Sequence, residues 1–284
     1  MNYKLSLTTL PAFVITVVSC SQELTEKSQD AIIPTAKITR AEEAFPNQRG
    51  VLTTGLLNGE PISYFLVGDQ AVFQSDILLL PDNLKQPSEL HTQGTGRAKT
   101  SLRWPNKIVY YTIDPALPNQ ARVTDAIAHW EANTPIRFVP RTTQRGYVLF
   151  RVGSGCSSNV GYAGSQQYIN LASGCTTGNT IHEIGHTVGL WHEQSRVDRD
   201  VYVNIHTGNI QTGYEPDFQT YAQRGMDGFD SGGGLDFGSV MLYGSYDFSK
   251  NGLPTMTKKD GTTFVGQRAG LSATDIATVA SMYP

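Results

Sequence analysis

The sequence is poor in cysteine, in charge and in long apolar stretches, and each shortage removes a class of protein. Three cysteines in 284 residues cannot staple a small disulfide scaffold, so the fold must rest on a buried core. At this length, with 39% hydrophobic residues, such a core is within reach. Charged residues make up 17% of the chain, and 22 Lys and Arg against 25 Asp and Glu leave a formal charge of −3. Without a basic excess to neutralise phosphates, nucleic acid is not an expected partner. The longest mostly apolar run, residues 5–18, follows Lys4 and is interrupted by Pro11. A membrane span needs about 20 apolar residues, so this run reads as the hydrophobic part of an export signal. No internal repeat recurs along the chain, which excludes solenoids and propellers.

Histidine is also scarce, and it is not scattered. Of the six, His91, His129, His182, His186, His192 and His206, half fall inside one eleven-residue segment, His182-Glu183-Ile184-Gly185-His186-Thr187-Val188-Gly189-Leu190-Trp191-His192. This H-E-x-x-H-x-x-G-x-x-H spacing has chemical content. Residues four apart on an α-helix lie one turn above each other, so His182 and His186 can offer ring nitrogens to one Zn²⁺ at about 2.0–2.1 Å. Glu183 sits beside them, placed to take a proton from water without being a ligand. A third histidine on the same straight helix would stand near position 189 or 190. His192 therefore requires the chain to leave the helix first, and Gly189, lacking Cβ, can take the left-handed conformation that permits it. The other three histidines are read as solvated or satisfied.

About fifty residues on, Asp236-Phe237-Gly238-Ser239-Val240-Met241-Leu242-Tyr243-Gly244 resembles the Met-turn that floors metzincin sites, with Met241 packed under the ligands. The run His192-Glu193-Gln194-Ser195-Arg196-Val197-Asp198-Arg199-Asp200 is similar to the H-E-Q-S-R-P-D-R-D of the astacin family, except for Val197 at the proline. The serralysin-like branch would bring glycine-rich Ca²⁺ repeats, and these are absent. The resemblance to astacins runs from Trp104-Pro105-Asn106 to Leu271-Ser272-Ala273-Thr274-Asp275-Ile276. It implies one Zn²⁺ per chain held by His182, His186 and His192, with Glu183 as general base and acid. It implies that Tyr243 ligates zinc in the resting enzyme and swings away to stabilise the reacting oxygen. It further implies a Cys156–Cys175 disulfide, and that Glu193 pairs with the new amino terminus after activation.

Residues 21–98 are polar and rich in turn formers, and resemble a pro-segment ending in an exposed, flexible cleavage region, with the cut expected within residues 96–102. Phe73-Gln74-Ser75-Asp76 is similar to the astacin pro-segment motif F-x-G-D, with Ser75 replacing glycine. Asp76 would then coordinate zinc and hold the enzyme latent. Asp69, in Phe65-Leu66-Val67-Gly68-Asp69, is a rival, and its plainer reading is a strand ending in a Gly-Asp turn. Val17-Val18-Ser19-Cys20 resembles a bacterial lipobox, where Cys20 would be lipidated; an ordinary signal peptide cleaved nearby, or a Cys20 thiolate blocking zinc in the precursor, are the alternatives.

Within the catalytic region, Lys107-Ile108-Val109-Tyr110-Tyr111-Thr112-Ile113, Ile136-Arg137-Phe138-Val139 and Tyr147-Val148-Leu149-Phe150-Arg151-Val152 read as strands. Val123, Ile127 and Trp130 recur at helical spacing. Gln166-Gln167-Tyr168-Ile169-Asn170-Leu171 is expected as the edge strand above the cleft, which in the family pairs antiparallel with substrate. The expected fold is α+β, a metzincin (zincin-like) two-lobed catalytic domain with a mixed N-terminal sheet, a zinc helix and a Met-turn. The expected organisation is a signal peptide over 1–20, a pro-segment over 21–98 and a catalytic domain over 99–284. The expected function is that of an exported zinc-dependent endopeptidase made as a latent zymogen, acting on peptide or protein substrates, monomeric when mature and anchored before activation if Cys20 is lipidated. A catalytically weak, zinc-dependent peptide-binding protein of the same fold is the alternative. Glu183 argues against it, because a pure binder has no use for a carboxylate beside an open metal position.

Overall fold

In the computed structural model, which describes residues 41–48, 50–57, 60–84 and 95–284, one nine-stranded sheet carries both the catalytic region and the segment before it. The expected leader with Cys20, and His91, lie outside the described residues. Four strands come first: β1 (Val51–Leu57), β2 (Glu60–Val67), β3 (Gln70–Phe73) and β4 (Ile77–Leu79), paired antiparallel in sequence order. Then follow β5 (Ile108–Ile113), α1 (Ala121–Asn133), β6 (Arg137–Pro140), β7 (Tyr147–Val152), β8 (Cys156–Asn159), β9 (Gln166–Leu171) and α2 (Thr177–Val188). The strand order is β1-β2-β3-β4-β8-β9-β7-β5-β6. Among the described residues, no helix is long and apolar enough to cross a membrane.

The strands form where β-branched and aromatic residues cluster, as in the Ile-Val-Tyr-Tyr-Thr-Ile of β5. On α1, Val123, Ala126, Ile127 and Trp130 share the buried face. They pack with Val109, Val148, Phe150 and Ile169 of the sheet and with Ile181, Ile184 and Val188 of α2. Trp130 Nε1 also donates to Ile181 O at 3.0 Å, which fixes α2 against α1. The start of α2 is a capping box, Thr176 with Asn179, and its end is Gly189 at φ 116°, ψ 14°. A Cβ at Gly189 would also lie 2.9 Å from Met282, so glycine serves both backbone and packing there.

After α2 the chain builds a second lobe with little regular structure: β10 (Val203–Ile205) pairs with β11 (Met256–Lys258), and α3 (Ala273–Met282) closes the chain. Its core joins Val203, Ile210, Phe218, Leu242, Tyr243, Phe248 and Met256. Asp275 in the first turn of α3 accepts from Ser239 Oγ at 2.7 Å and Val240 N at 2.9 Å. The last helix thereby holds the turn that carries Met241.

Two expectations need correction. The catalytic region's edge strand is β8, with β9 internal between β8 and β7. The Cys-Ser-Ser-Asn of β8 has no apolar alternation to reveal it; it is a strand because its main chain pairs β9 antiparallel on one side and β4 parallel on the other. The expected exposed cleavage region is in part buried: Thr95, Gly96 and Arg97 are all buried, Thr95 at 4% and Arg97 at 1% exposure. Gly96 bridges Leu190 and Phe229, Trp191 N donates to Thr95 O at 2.6 Å, and Arg97 pairs with Asp227 at 2.6 Å. Small and basic residues resist packing as a group, but here each has a specific partner in the catalytic lobe.

Cys156 and Cys175 are bridged, Cα–Cα 6.0 Å, and tie the start of β8 to the turn before α2 across 19 residues. A loop of that size stabilises by roughly 3 kcal/mol. Replacing both cysteines with serine should lower the unfolding free energy by about 2–4 kcal/mol in chemical denaturation, with zinc content retained; an unchanged midpoint would contradict the bridge.

Candidate metal centre and cleft

One helical turn separates His182 from His186 on α2, and the reversal at Gly189 returns His192 to the same point; all three are fully buried. Two of the rings are oriented from behind. His182 Nδ1 lies 2.8 Å from Val240 O and His186 Nδ1 2.9 Å from Leu190 O. A carbonyl partner requires the proton on Nδ1, which leaves the Nε2 lone pair facing inward. His192 Nδ1 is 3.2 Å from Gln74 Oε1.

The three Nε2 atoms surround the carboxylate of Asp76. Oδ2 stands 3.2 Å from His182 Nε2 and 3.1 Å from His192 Nε2, and Oδ1 stands 3.6 Å from His186 Nε2. Four donors on a tetrahedral zinc with bonds of about 2.0–2.1 Å are spaced about 3.3 Å apart, and these separations bracket that value. His186 Nε2 and Asp76 Oδ1 are buried without a hydrogen-bond partner, a costly state unless a cation lies between them. Three imidazoles and one carboxylate also suit zinc chemically, so the residues fit the ion that the resemblance implies. Burial alone would raise the Asp76 pKa, yet the His192 and His186 rings hold it well below the usual carboxylate range. Burial pushes His192 down to about 4, which keeps its imidazole neutral and ready as a ligand near pH 7.

The remaining expected residues border this cluster. Glu183 is fully buried and neither carboxylate oxygen has a hydrogen-bond partner; burial, with the Asp76 and Glu42 carboxylates nearby, pushes its pKa well up. Tyr243 stands with its ring 4.6 Å from that of His192, and its phenol donates to Gln74 O at 2.9 Å. Met241 is buried, and its Sδ would be 2.6 Å from any Cβ at position 185, so the glycine inside the histidine motif makes room for the methionine. Glu193 is buried and accepts from Asp236 N at 3.0 Å, with Arg196 at 3.6 Å; burial raises its pKa to about 8. Asp69 is exposed in the turn between β2 and β3, away from this buried set. His129 is satisfied by Leu271 N at 3.0 Å. Val197 N donates to Asp230 at 3.2 Å, a bond that the family's proline cannot make.

Asp76 reaches the centre from the tip of the β3–β4 hairpin. Gln74 and Ser75 both take left-handed backbone there, φ 46° and 69°, which explains the glycine of the family motif. A non-glycine residue in that region costs about 1–2 kcal/mol. Ser75 Oγ donates to the buried Asp217, and a hydrogen bond to a charged group contributes about 1.5–3 kcal/mol, enough to offset the strain at Ser75.

Sequence reasoning missed the second anchor of this segment. Glu42 is buried, accepts from Arg268 Nε and Nη2 at 2.5 Å each and from Asn179 at 2.8 Å, and lies 3.8 Å from His182 Nε2. Burial would raise its pKa, but Arg268 and His182 bring it to about 2. Nothing in Ala41-Glu42-Glu43-Ala44 distinguishes it from a solvated acidic pair. Of strands β1–β4, sequence reasoning reads only Phe65-Leu66-Val67 as a strand, ending in a Gly-Asp turn, and misses the hairpin signal of Asn58-Gly59 between two apolar runs.

A helix-borne three-histidine centre floored by a methionine turn, set below a mixed sheet, defines a zincin-like α+β domain of the metzincin kind. The chain belongs to the astacin family: the family model described as Astacin (Peptidase family M12A) matches residues 96–284. It is 39% identical over 235 residues to Blastula protease 10 of Paracentrotus lividus, covering 74% of this chain and 38% of that protein. It is 38% identical over 195 residues to Flavastacin of Elizabethkingia meningoseptica, covering 63% of this chain and 42% of that protein. The chain thus spans well under half the length of these relatives. Among solved structures it resembles high choriolytic enzyme 1, a hatching enzyme zinc-protease from Oryzias latipes, with a TM-score of 0.58 at 30% identity over 64% of this chain and 92% of that one.

Replacing His186 with Ala should abolish zinc retention after gel filtration, because two imidazoles do not hold the ion in this geometry. Full zinc occupancy by elemental analysis would contradict the ligand set.

Proposed function

We propose that this chain is the precursor of a zinc endopeptidase, with residues 99–284 expected to hold the catalytic machinery and the preceding segment holding it latent. The observation that carries the activity is the unpartnered Glu183 carboxylate beside three converging Nε2 atoms. When bound, zinc polarises a peptide carbonyl and acidifies water. Glu183 accepts the proton of the attacking water and delivers it to the leaving nitrogen, a role matched by a pKa raised in its buried site. Tyr243, released from Gln74, donates its phenol proton as a hydrogen bond to the substrate oxygen as charge develops. The outer edge of β8 is where an extended substrate backbone would pair.

Latency follows from the same geometry. Asp76 takes the place that a reacting group needs, Gln74 holds both His192 and Tyr243, and β4 covers the edge of β8. Because β4 runs parallel to β8, opposite to the antiparallel sense the resemblance implies for substrate, its backbone is not presented as a scissile one. The buried partners of residues 95–97 favour an activating cut upstream of Thr95, rather than within 96–102. Arg196 Nη1 lies 3.4 Å from Thr95 Oγ1 and 3.6 Å from Glu193, so an amino terminus created there has the Glu193 carboxylate within reach. Export is part of this reading, and Cys20 lipidation would tether the precursor until the cut.

Glu183→Gln should retain zinc and lower peptidase turnover by roughly 10²–10⁴-fold; turnover equal to the unsubstituted enzyme would sink the assignment. In the uncut precursor, Asp76→Ala should raise activity at least ~10-fold while Asp69→Ala stays silent, given that one charge-assisted ligand contributes several kcal/mol. An unsubstituted precursor as active as the trimmed enzyme would dispose of latency.

A further inference from the structure

Three residues before Asp76, Phe73 ends β3 with its ring 1% exposed. It sits in a cage built by the catalytic lobe. The indole of Trp191 meets it edge-on at 5.9 Å, and the Arg224 guanidinium lies over its face at 3.9 Å. Tyr221, Met226 and Val160 belong to the same apolar cluster, to which β2–β4 and their turns add Ile62, Ala71, Ile77 and Leu79.

Neither wall depends on Phe73 for its position. Trp191 Nε1 donates to Asp227 O at 2.9 Å, its backbone N donates to Thr95 O at 2.6 Å, and Arg97 covers its ring at 4.9 Å. Arg224 donates to Pro216 O at 2.6 Å and lies 3.7 Å from Asp217. These contacts all fall within residues 95–284, so the positions of Trp191 and Arg224 do not rest on β1–β4; with that segment gone, Arg224 gives up its bond to Ser63 O and the Phe73 ring. An arginine held over an aromatic-sized gap attracts the face of a ring, and an indole favours its edge.

The cage also lies on a defined side of the metal. Strand β3 is antiparallel to β4, and β4 is parallel to β8, so β3 runs antiparallel to β8, in the sense implied for substrate, and meets the centre through Gln74 to Asp76. Phe73 therefore approaches the histidines as a residue N-terminal to a scissile bond would. We infer that the Trp191–Arg224 cage is a specificity subsite for an aromatic side chain on the N-terminal side of the cleaved bond, and that Phe73 occupies it in the precursor. This rests on the peptidase reading above.

The test uses full-length zinc-loaded Glu183→Gln protein, trimmed by limited proteolysis after folding, and extended peptides in which one Phe is walked through a Gly/Ser host. Binding should tighten ~10-fold at one Phe position relative to the Phe-free host. That gain should fall to ~2-fold or less in Arg224→Leu and in Trp191→Leu, and be largely restored by Trp191→Phe, with zinc content verifying that each variant is folded. A flat series, or a gain that survives both leucine substitutions, would overturn the subsite. Turnover of the same peptides by trimmed protein with Glu183 intact is scored separately. Cleavage with Phe on the C-terminal side of the cut refutes the inference, whereas a position-dependent gain without any cleavage upholds the cage and refutes the peptidase reading.

Discussion

Everything in the cleft depends on where one carboxylate sits. Asp76 is fully buried, a position that would be untenable for an isolated charge, and it is made tenable by three imidazole nitrogens within 3.6 Å and by the cation that this donor set fits. The hairpin that delivers it is extended sheet, so ordering the tip also orders β3 and β4 against β8. The same tip brings Gln74 to His192 and Tyr243 and Ser75 to Asp217. One placement thus engages His192, Tyr243 and Asp217 together.

Much of the centre is positioned from within residues 95–284. Two of its ligands, His182 and His186, are oriented by its own carbonyls, Val240 O and Leu190 O, and Met241 is held by the Ser239–Asp275 contact with α3. None of these belongs to the preceding segment. What that segment does contribute is charge and cover: Glu42 neutralises Arg268, whose side chain is 7% exposed, and β4 pairs with β8. That segment also supplies the Gln74 partner of His192, whereas the partners of His182 and His186 lie outside it.

The centre was legible because its geometry is local. Helical spacing for His182 and His186, and the glycine exit before His192, follow from elementary helix properties, and the Met-turn stands at a recognisable remove. Strands β5, β6 and β7 were legible from β-branched and aromatic residues and helix α1 from apolar spacing, while β9 was legible as a strand but not in its place within the sheet. What was not legible depends on distant partners. The polar Cys156–Asn159 stretch becomes an edge strand through pairing alone, Thr95 to Arg97 are buried because Leu190, Trp191 and Asp227 wait for them, and Glu42 is distinguished only by Arg268, 226 residues away. Gly185 is intermediate: it lies in the motif, but its purpose is the Met241 sulfur above it.

The most direct measurement of the central claim is a crystal structure of the intact, zinc-loaded precursor with anomalous diffraction at the zinc edge. The account predicts one zinc bound by Nε2 of His182, His186 and His192 and by an Asp76 oxygen at about 2.0–2.2 Å, with the Tyr243 phenol still on Gln74. A water, the Tyr243 phenol or any other side chain in the fourth position, with Asp76 turned away, would contradict it.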